Sequence, residues 1–177
     1  HMYYNKDQVE FDGEKVTDID GYRPHVTLTE TDIAKFRCYF KFGVVRNPWS
    51  WHASIWSFFQ RPDRNNKFIT GLPFETYVDS VCDKNCKLPY ARNQVEWLML
   101  DGVEVVDFIG RYEFLLRDFE LIISQVGLRD AAIQLPHFKK AKTYDYELMY
   151  SSRMRKLIEK KHRKDIERFS YQFARQI

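Results

Sequence analysis

The sequence lacks several features that would assign it to a broad class of proteins. No apolar run approaches the roughly 20 residues that a membrane-spanning helix needs, and no basic head followed by an apolar stretch marks a secretory signal. The seven glycines are scattered, so no Walker-type run supports a nucleotide kinase or another phosphate-loop enzyme. The formal charge of +3 is too small and too dispersed to indicate a nucleic-acid-binding protein. We therefore expect neither a membrane span nor a nucleic-acid partner.

Cysteine is also scarce, and the number of cysteines is odd. Three cysteines do not make a complete disulfide framework. Cys82 and Cys86 are close enough in sequence for a local disulfide, so ordinary thiols, one local disulfide and a metal site are the alternatives. A structural zinc site needs four ligands, and no further Cys or His pair follows at a suitable spacing. The sequence favours ordinary thiols and predicts no metal.

The composition is that of a folded protein. Hydrophobic residues make up 44% of the 177 residues and aromatic residues 16%, which is enough to bury a core in one domain. His1-Met2 resembles the remnant of a cleaved tag, and residues 1–20 are predicted to be a poorly ordered lead-in. Residues 21–177 are predicted to form a single domain.

Hydrophobic periodicity predicts strands that alternate with helices. Residues 41–46 form a short apolar run typical of a buried strand, and the Asn-Pro pair that follows predicts a helix over 48–60. A second buried strand is predicted over 103–113, followed by a helix over 115–127 that ends at a glycine. This order predicts an α/β fold with a mostly parallel sheet flanked by helices.

The remaining segments are assigned from shorter patterns. They are a short helix ending near Phe36, a helix over 73–80, a strand or helical segment over 95–100, a basic loop over 128–145 and a last helix over 151–169.

The clearest chemical signal is Arg46, which the first buried strand delivers to its carboxyl end, the edge at which parallel sheets bind ligands. The next helix begins just after it, and the free amide groups of a helix start attract anions. Ser50 and Ser54 share one face of this helix with Asn47. A guanidinium group and two hydroxyls would suit a phosphate, whereas the alternative is a strand–helix corner where Arg46 pairs with a carboxylate.

The segment RNPWSWHAS, residues 46–54, is similar to the RNP-x-x-x-x-x-S pattern of the carbohydrate (Golgi-type) sulfotransferases and their bacterial and viral relatives. FIGRYE at 108–113 and the segment 135–173 resemble later parts of the same family, in the same order, so that the likeness covers roughly residues 20–173. The resemblance implies a P-loop-NTPase-like sulfotransferase fold. It also implies transfer of a sulfuryl group from 3′-phosphoadenosine 5′-phosphosulfate (PAPS) to a hydroxyl, with a carbohydrate as the expected acceptor.

The resemblance also implies a donor site. It assigns Arg46 and Ser54 to the 3′-phosphate of PAPS, places Arg111 near the donor pocket and lets Lys140 and Lys142 close over the phosphates. An ion pair between strand and helix is the alternative for Arg111, and solvated side chains are the alternative for the lysines.

Histidines supply the candidate base. His25 resembles the catalytic base of the uronyl 2-O-sulfotransferase branch, and an imidazole can take the proton of an attacking hydroxyl near neutral pH. A histidine that bonds a turn or caps a helix is the alternative. His52 stands near a position where the family often has arginine, and neither it nor His137 is assigned a role.

One part of the family pattern is not found. Family members begin with a strand and a loop of the type PKTGGTS, which cradles the 5′-phosphosulfate with backbone amides. No such loop occurs in this sequence, so the first strand and the phosphate loop are expected to be missing on the N-terminal side. A shortened chain, an incomplete reading frame and evolutionary loss all explain this. A homo-oligomer or a partner chain is then expected to cover the gap, and the chain alone is expected to have little or no activity.

Two classes of function therefore stay open. The first is a metal-independent sulfotransferase, and the second is a non-catalytic binding or interaction module with the same fold. In the second, Trp49, Trp51 and Trp56 stack on sugars, although core packing suits their spacing better. Bacterial and viral relatives act in the cytoplasm and animal ones in the Golgi lumen, and the cytoplasm is favoured here.

Overall fold

The computed structural model of the protein describes residues 10–11, 14–15, 38–64, 66–128 and 145–173. Two short strands, β1 (Glu10–Phe11) and β2 (Glu14–Lys15), pair antiparallel. The remaining strands and α-helices are, in chain order, β3 (Phe42–Val45), α1 (Pro48–Phe59), α2 (Phe74–Cys82), β4 (Met99–Leu100), β5 (Val103–Glu104), β6 (Phe108–Arg111), α3 (Leu115–Gln125), α4 (Tyr146–Met149), α5 (Ser152–Lys161) and α6 (Arg163–Phe169). Short 3-10 turns occur at Pro89–Ala91, Gln94–Trp97 and Tyr112–Phe114.

Strands β3 and β6 form a parallel pair that ends beside Arg46. β3 pairs with β6 in a register that runs from Phe42↔Phe108 to Val45↔Arg111, so both strands end at the same edge. Helix α3 packs on β6, and helices α1, α2 and α5 pack on one another. The predicted mixed α/β arrangement, with parallel strands flanked by helices, is confirmed at this level. The sulfotransferase fold itself stays a prediction.

The start of α1 is encoded locally. The side chain of Asn47 accepts hydrogen bonds from the N–H groups of Trp49 at 3.1 Å and Ser50 at 3.5 Å, and Pro48 occupies the first helical position. Asparagine at the cap and proline directly after it are strong start signals because they satisfy or remove free donors. The helix predicted over 48–60 is confirmed to within one residue.

The strand predicted over 103–113 is wrong in its extent, because the segment contains two separate strands and the start of a 3-10 turn. Asp101 and Gly102 have φ values of 49° and 81°, and they turn the chain tightly between β4 and β5. Asp107 then leaves the extended run, since its carboxyl oxygen accepts the Lys41 N–H at 2.7 Å. Only Phe108–Arg111 pairs with β3. The 95–100 segment is both a helical turn and a strand, Gln94–Trp97 followed by β4.

The last helix, predicted as one element over 151–169, is two. The break falls at His162, whose φ of −105° and ψ of 30° separate α5 from α6. His162 is fully buried, because its ring turns inward against helix α1. A helical period in the sequence does not reveal this break, since the apolar positions continue in phase across it.

The core lies between α1, α2, α5 and the carboxyl end of β3. It includes Val45, Trp49, Trp51, Ala53, Ile55, Ile69, Tyr77, Val78, Val81, Met154 and Ile158. Trp49 and Trp51 are buried, and Trp56 packs against the cluster. The alternative in which exposed tryptophans stack on sugars is therefore wrong for Trp49 and Trp51.

The three cysteines are free thiols. Cys38 is exposed, while Cys82 and Cys86 are partly buried beside the core. Burial is the main cause that raises the pKa of the Cys82 thiol to about 12, which makes it a poor nucleophile at neutral pH. None of the helices in the described ranges has the length and apolar content of a membrane span.

Gly43 in β3 is predicted to be intolerant of a side chain. A Cβ atom there would overlap the side chain of Leu98, which is only 7% exposed and has little room to move. We expect Gly43→Ala to lower the free energy of unfolding by about 1–3 kcal/mol, the usual cost of overpacking. Urea denaturation followed by tryptophan fluorescence measures it.

Gly110 in β6 is the matched control. It lies in the same strand pair, opposite Val44, but an added Cβ would stand 3.4 Å from the Cβ of Asp118, close to ordinary contact. Gly110→Ala should therefore cost less than Gly43→Ala. Equal losses for the two variants would contradict the overlap with Leu98.

Candidate functional site

Arg46 lies between the end of β3 and the cap of α1. Its Nε donates a hydrogen bond to Oγ of Ser50 at 2.9 Å, and its guanidinium carbon stands 4.1 Å from the ring centroid of Tyr112. The structure thus brings together Arg46 and Ser50, two of the predicted site residues. The hydroxyl and the aromatic face hold the guanidinium group in one place at the carboxyl edge of the sheet.

Arg46 has no acidic partner in the described part of the chain: no carboxylate there lies within ion-pair distance of it. Burial lowers the pKa of its guanidinium below the ordinary value, opposed by the nearby Tyr112 and Glu113. The strand–helix corner in which Arg46 pairs with a carboxylate is therefore not the arrangement found. Only one of the five guanidinium N–H donors is used by a described residue.

Both carboxyl oxygens of Glu113 accept hydrogen bonds near this arrangement. Its Oε1 accepts the Asn47 N–H at 2.6 Å, and its Oε2 accepts the hydroxyl of Tyr171 at 3.4 Å. The Asn47 side-chain amide also donates to the Gln172 carbonyl at 2.7 Å. These bonds fasten the cap of α1 to the turn after β6 and to the segment after α6.

Arg111, the last residue of β6, reaches the same edge as Arg46 because Val45 is its register partner. Its N–H donates to Oδ2 of Asp118 at 2.6 Å, and its guanidinium carbon lies 5.5 Å from the ring centroid of Tyr171. Among the described residues no carboxylate forms an ion pair with its side chain. The alternative in which Arg111 is held by a strand-to-helix ion pair is therefore not seen in this part of the chain.

Ser54 lies one turn further along α1 and is partly buried. Its hydroxyl makes no hydrogen bond with a described residue, so its assignment to the 3′-phosphate stays a prediction. His25, His137, Lys140 and Lys142 lie outside the described residues. The roles predicted for them as base and as phosphate-binding groups stay predictions too.

Gln94 is a residue of this site that the sequence analysis missed. Its side-chain Oε1 accepts the Arg46 N–H at 2.9 Å, and its Nε2 donates to the Arg46 carbonyl at 2.7 Å. It is 8% exposed, and it contacts Arg46 from 48 positions away in sequence. Gln94 lies between Asn93 and Val95 in a segment without a regular hydrophobic period, so the pattern alone does not reveal it.

His52, left unassigned by the sequence, lies in a buried polar chain behind α1. Its Nδ1 is 2.8 Å from the hydroxyl of Tyr77, and its Nε2 is 2.7 Å from Nε2 of His162. Nδ1 of His162 in turn lies 3.5 Å from Oδ2 of Asp165. All four side chains are fully buried.

The bonding pattern assigns the protons of this chain. Burial raises the pKa of Tyr77 well above its ordinary value, so its hydroxyl stays protonated. Oδ2 of Asp165 is an acceptor facing Nδ1 of His162, which favours a proton on that nitrogen and leaves Nδ1 of His52 to accept the Tyr77 hydroxyl. His52 then carries its proton on Nε2 and donates it to the bare Nε2 of His162. A second proton between the two rings would place two N–H groups face to face. Burial, followed by His162 and Lys161, accordingly lowers the pKa of His52 well below its ordinary value.

An open groove of about 500 Å³ adjoins the Arg46 site through Tyr171 and Gln172. Trp49, Arg155, Lys156 and Phe173 also line it, and the Arg155 guanidinium carbon stands 4.0 Å from the Phe173 ring centroid. Aromatic faces beside cationic groups suit a planar or anionic ligand.

Within the described ranges, no three His, Cys, Asp or Glu side chains are grouped in a way that would hold a metal ion. Comparison with known proteins gives no neighbour to read a function from: no family model, no curated protein and no solved structure matches the chain. The function therefore has to be inferred from the site itself. Its defining feature is a guanidinium group at the carboxyl edge of a parallel strand pair, with no acidic partner among the residues that the structure describes.

Proposed function

We propose that this protein binds PAPS through its 3′-phosphate at Arg46, and that its activity is transfer of the sulfuryl group to a hydroxyl, with a carbohydrate as acceptor. One observation carries the proposal. The Arg46 guanidinium is fixed by Ser50 and Tyr112, partly buried, and without an acidic partner in the described part of the chain. A partly desolvated cation favours an anion, and phosphate matches the planar fork of arginine.

The surroundings of Arg46 support a dianion in particular. The positive end of α1, a helix of 12 residues, begins directly beside it. Arg111 ends the neighbouring strand at the same edge, opposite Val45. A nucleotide with a 3′-phosphate would place that charge at the start of α1, beside Arg46. The rest of the nucleotide would extend into the adjoining groove, beside Arg155 and Lys156.

The proposed transfer is an in-line displacement. The acceptor oxygen forms a bond to sulfur while the bond from sulfur to the bridging phosphate oxygen breaks, which leaves adenosine 3′,5′-bisphosphate. The proton of the attacking hydroxyl goes to a base, the role proposed for His25. Ser54, Lys140 and Lys142 are proposed as further donor contacts. Because the sequence holds no PKTGGTS-like loop for the 5′-phosphosulfate, the 177-residue chain is expected to bind the bisphosphate but to transfer little.

Titration calorimetry with adenosine 3′,5′-bisphosphate tests the site. We expect Arg46→Ala to weaken binding about 10- to 100-fold, because a hydrogen bond to a charged group contributes about 1.5–3 kcal/mol. Arg46→Lys keeps the charge but loses the fork, so we expect it to recover only part of the loss.

Arg163→Ala is the matched control. It removes the same charge from an exposed position where, within the described ranges, Arg163 forms an ion pair with Glu167 on its own helix. Affinity equal to that of the wild type is expected for this variant. No binding to the folded wild-type protein, or an equal loss in both alanine variants, would overturn the proposed site.

A binding module without transfer is the second candidate, and the missing glycine-rich loop is the observation that favours it. The two candidates share the Arg46 site and differ in the chemistry. Incubation with PAPS and a mixture of polysaccharides separates them. Sulfated product that depends on Arg46, even in a small amount, supports the enzyme, whereas tight bisphosphate binding with no detectable product supports the module.

A further inference from the structure

We propose that Gln94 is the positioning residue of the anion site: its side-chain amide fixes the backbone of Arg46 and thereby aims the guanidinium group. This proposal rests on the proposed function, since both concern the Arg46 site. Gln94 makes no contact with the ligand itself and acts through Arg46.

The first step is the two-point contact. Arg46 stands one residue beyond β3, where the ladder with β6 has ended. Gln94 accepts from its N–H at 2.9 Å and donates to its C=O at 2.7 Å, the pair of bonds that a neighbouring strand would otherwise make. The side chain therefore extends the order of the sheet by one residue, to the residue that carries the charge.

The second step is that Gln94 is itself anchored. Its N–H donates to Oδ2 of Asp165 at 2.7 Å, and the N–H of Val95 donates to Oδ1 of the same group at 2.8 Å. Asp165 is fully buried in α6. Two bonds from one rigid carboxyl group fix the start of the Gln94–Trp97 turn, so the amide of Gln94 approaches Arg46 from a fixed base.

The third step is the geometric demand of the ligand. A guanidinium group binds phosphate through two parallel hydrogen bonds, and both require a defined direction of the side chain. Displacement by about 1 Å is enough to lose such contacts. Ser50 and Tyr112 hold the guanidinium group of Arg46, and Gln94 holds its backbone. Without the two Gln94 bonds, the contacts of the guanidinium group alone leave the backbone at the strand end free to tilt.

The test uses two readouts on Gln94→Met, which keeps the length and removes both bonds. Amide hydrogen exchange measures the order of Arg46 directly, and we expect its N–H to exchange about tenfold faster or more, while Val45 is unchanged. Calorimetry with adenosine 3′,5′-bisphosphate is expected to show about tenfold weaker binding, one decade of affinity.

Gln60→Met is the matched control. The Gln60 side chain also spans a backbone carbonyl and a backbone N–H, those of Ile69 at 3.1 Å and Gly71 at 3.0 Å, on the far side of α1. We expect Gln60→Met to lower the melting temperature about as much as Gln94→Met does, but to leave the affinity for the bisphosphate unchanged. If Gln60→Met weakens binding as much as Gln94→Met, the role of Gln94 is general stability and the proposal is overturned.

The outcomes also separate this proposal from the proposed function. If the wild-type protein does not bind the bisphosphate, the proposed function fails. The exchange rate of the Arg46 N–H in Gln94→Met then decides by itself whether Gln94 positions Arg46. Unchanged exchange in Gln94→Met overturns the positioning role whatever the affinity. If Gln94→Met does not fold, Asp165→Asn replaces it. This variant withdraws one anchor of the Gln94–Trp97 turn, so faster exchange at Arg46 is again expected and its absence counts against the proposal.

Discussion

Asp165→Ala is expected to lower the free energy of unfolding by about 3–5 kcal/mol, the range for breaking a buried charged or multiply bonded group. The substitution leaves two buried N–H donors, those of Gln94 and Val95, without an acceptor. It also removes the group that faces Nδ1 of His162. Neither amide can turn to solvent, because Gln94 and Val95 are both buried. The whole desolvation cost of the two donors therefore remains in the folded state.

Urea denaturation measures this loss, and two variants bracket it. Asp165→Asn keeps one acceptor oxygen, so we expect an intermediate loss. Asp79→Ala removes an exposed carboxyl group that binds Arg153 through two hydrogen bonds, and we expect a much smaller loss because exposed ion pairs contribute little. If Asp165→Ala is no worse than Asp79→Ala, the buried amides have found other acceptors and our account of the Gln94–Trp97 turn is wrong.

The sequence predicts well those parts of the fold that are encoded by neighbours in the chain. The adjacent residues Asn47 and Pro48 predict the start of α1, and the apolar run before them predicts β3. The placement of Arg46 at a strand end, next to a helix start, follows from these local signals alone. The contact between Arg46 and Ser50 follows from helical spacing in the same way.

The parts that the sequence did not reveal depend on contacts between distant residues. His52 and His162 meet across 110 positions, and Gln94 reaches Arg46 across 48. In each case a single sequence gives no sign of the distant partner. The strand predicted over 103–113 failed for a related reason. Lys41 binds Asp107 from 66 positions away and ends the extended run there.

Acidification is expected to destabilise the protein through His52, and this is the second large effect. In the unfolded chain a histidine binds a proton below about pH 6.5. In the fold, the lowered pKa of His52 keeps it neutral at that pH. Unfolding therefore takes up a proton, so stability is complete above pH 6.5 and falls as the pH drops, by up to about 1.4 kcal/mol per pH unit, until the folded pKa is reached.

Comparison with His52→Gln isolates this contribution. The glutamine amide can still donate to Nε2 of His162 but cannot titrate, and it leaves the hydroxyl of Tyr77 without its acceptor. At pH 7.5 we expect the variant to be less stable by about 1–3 kcal/mol, the cost of an unsatisfied buried group. Between pH 6.5 and pH 5 its stability should fall less steeply than that of the wild type, so the two urea midpoints converge. Apart from His162, which loses its neighbouring ring in the variant, the surroundings of the other titrating groups are the same in both proteins, so the difference in slope reports the His52–His162 pair. Parallel slopes would mean that the folded protein accepts a proton between the two rings, and the neutral, directed chain from Tyr77 to Asp165 would then be wrong.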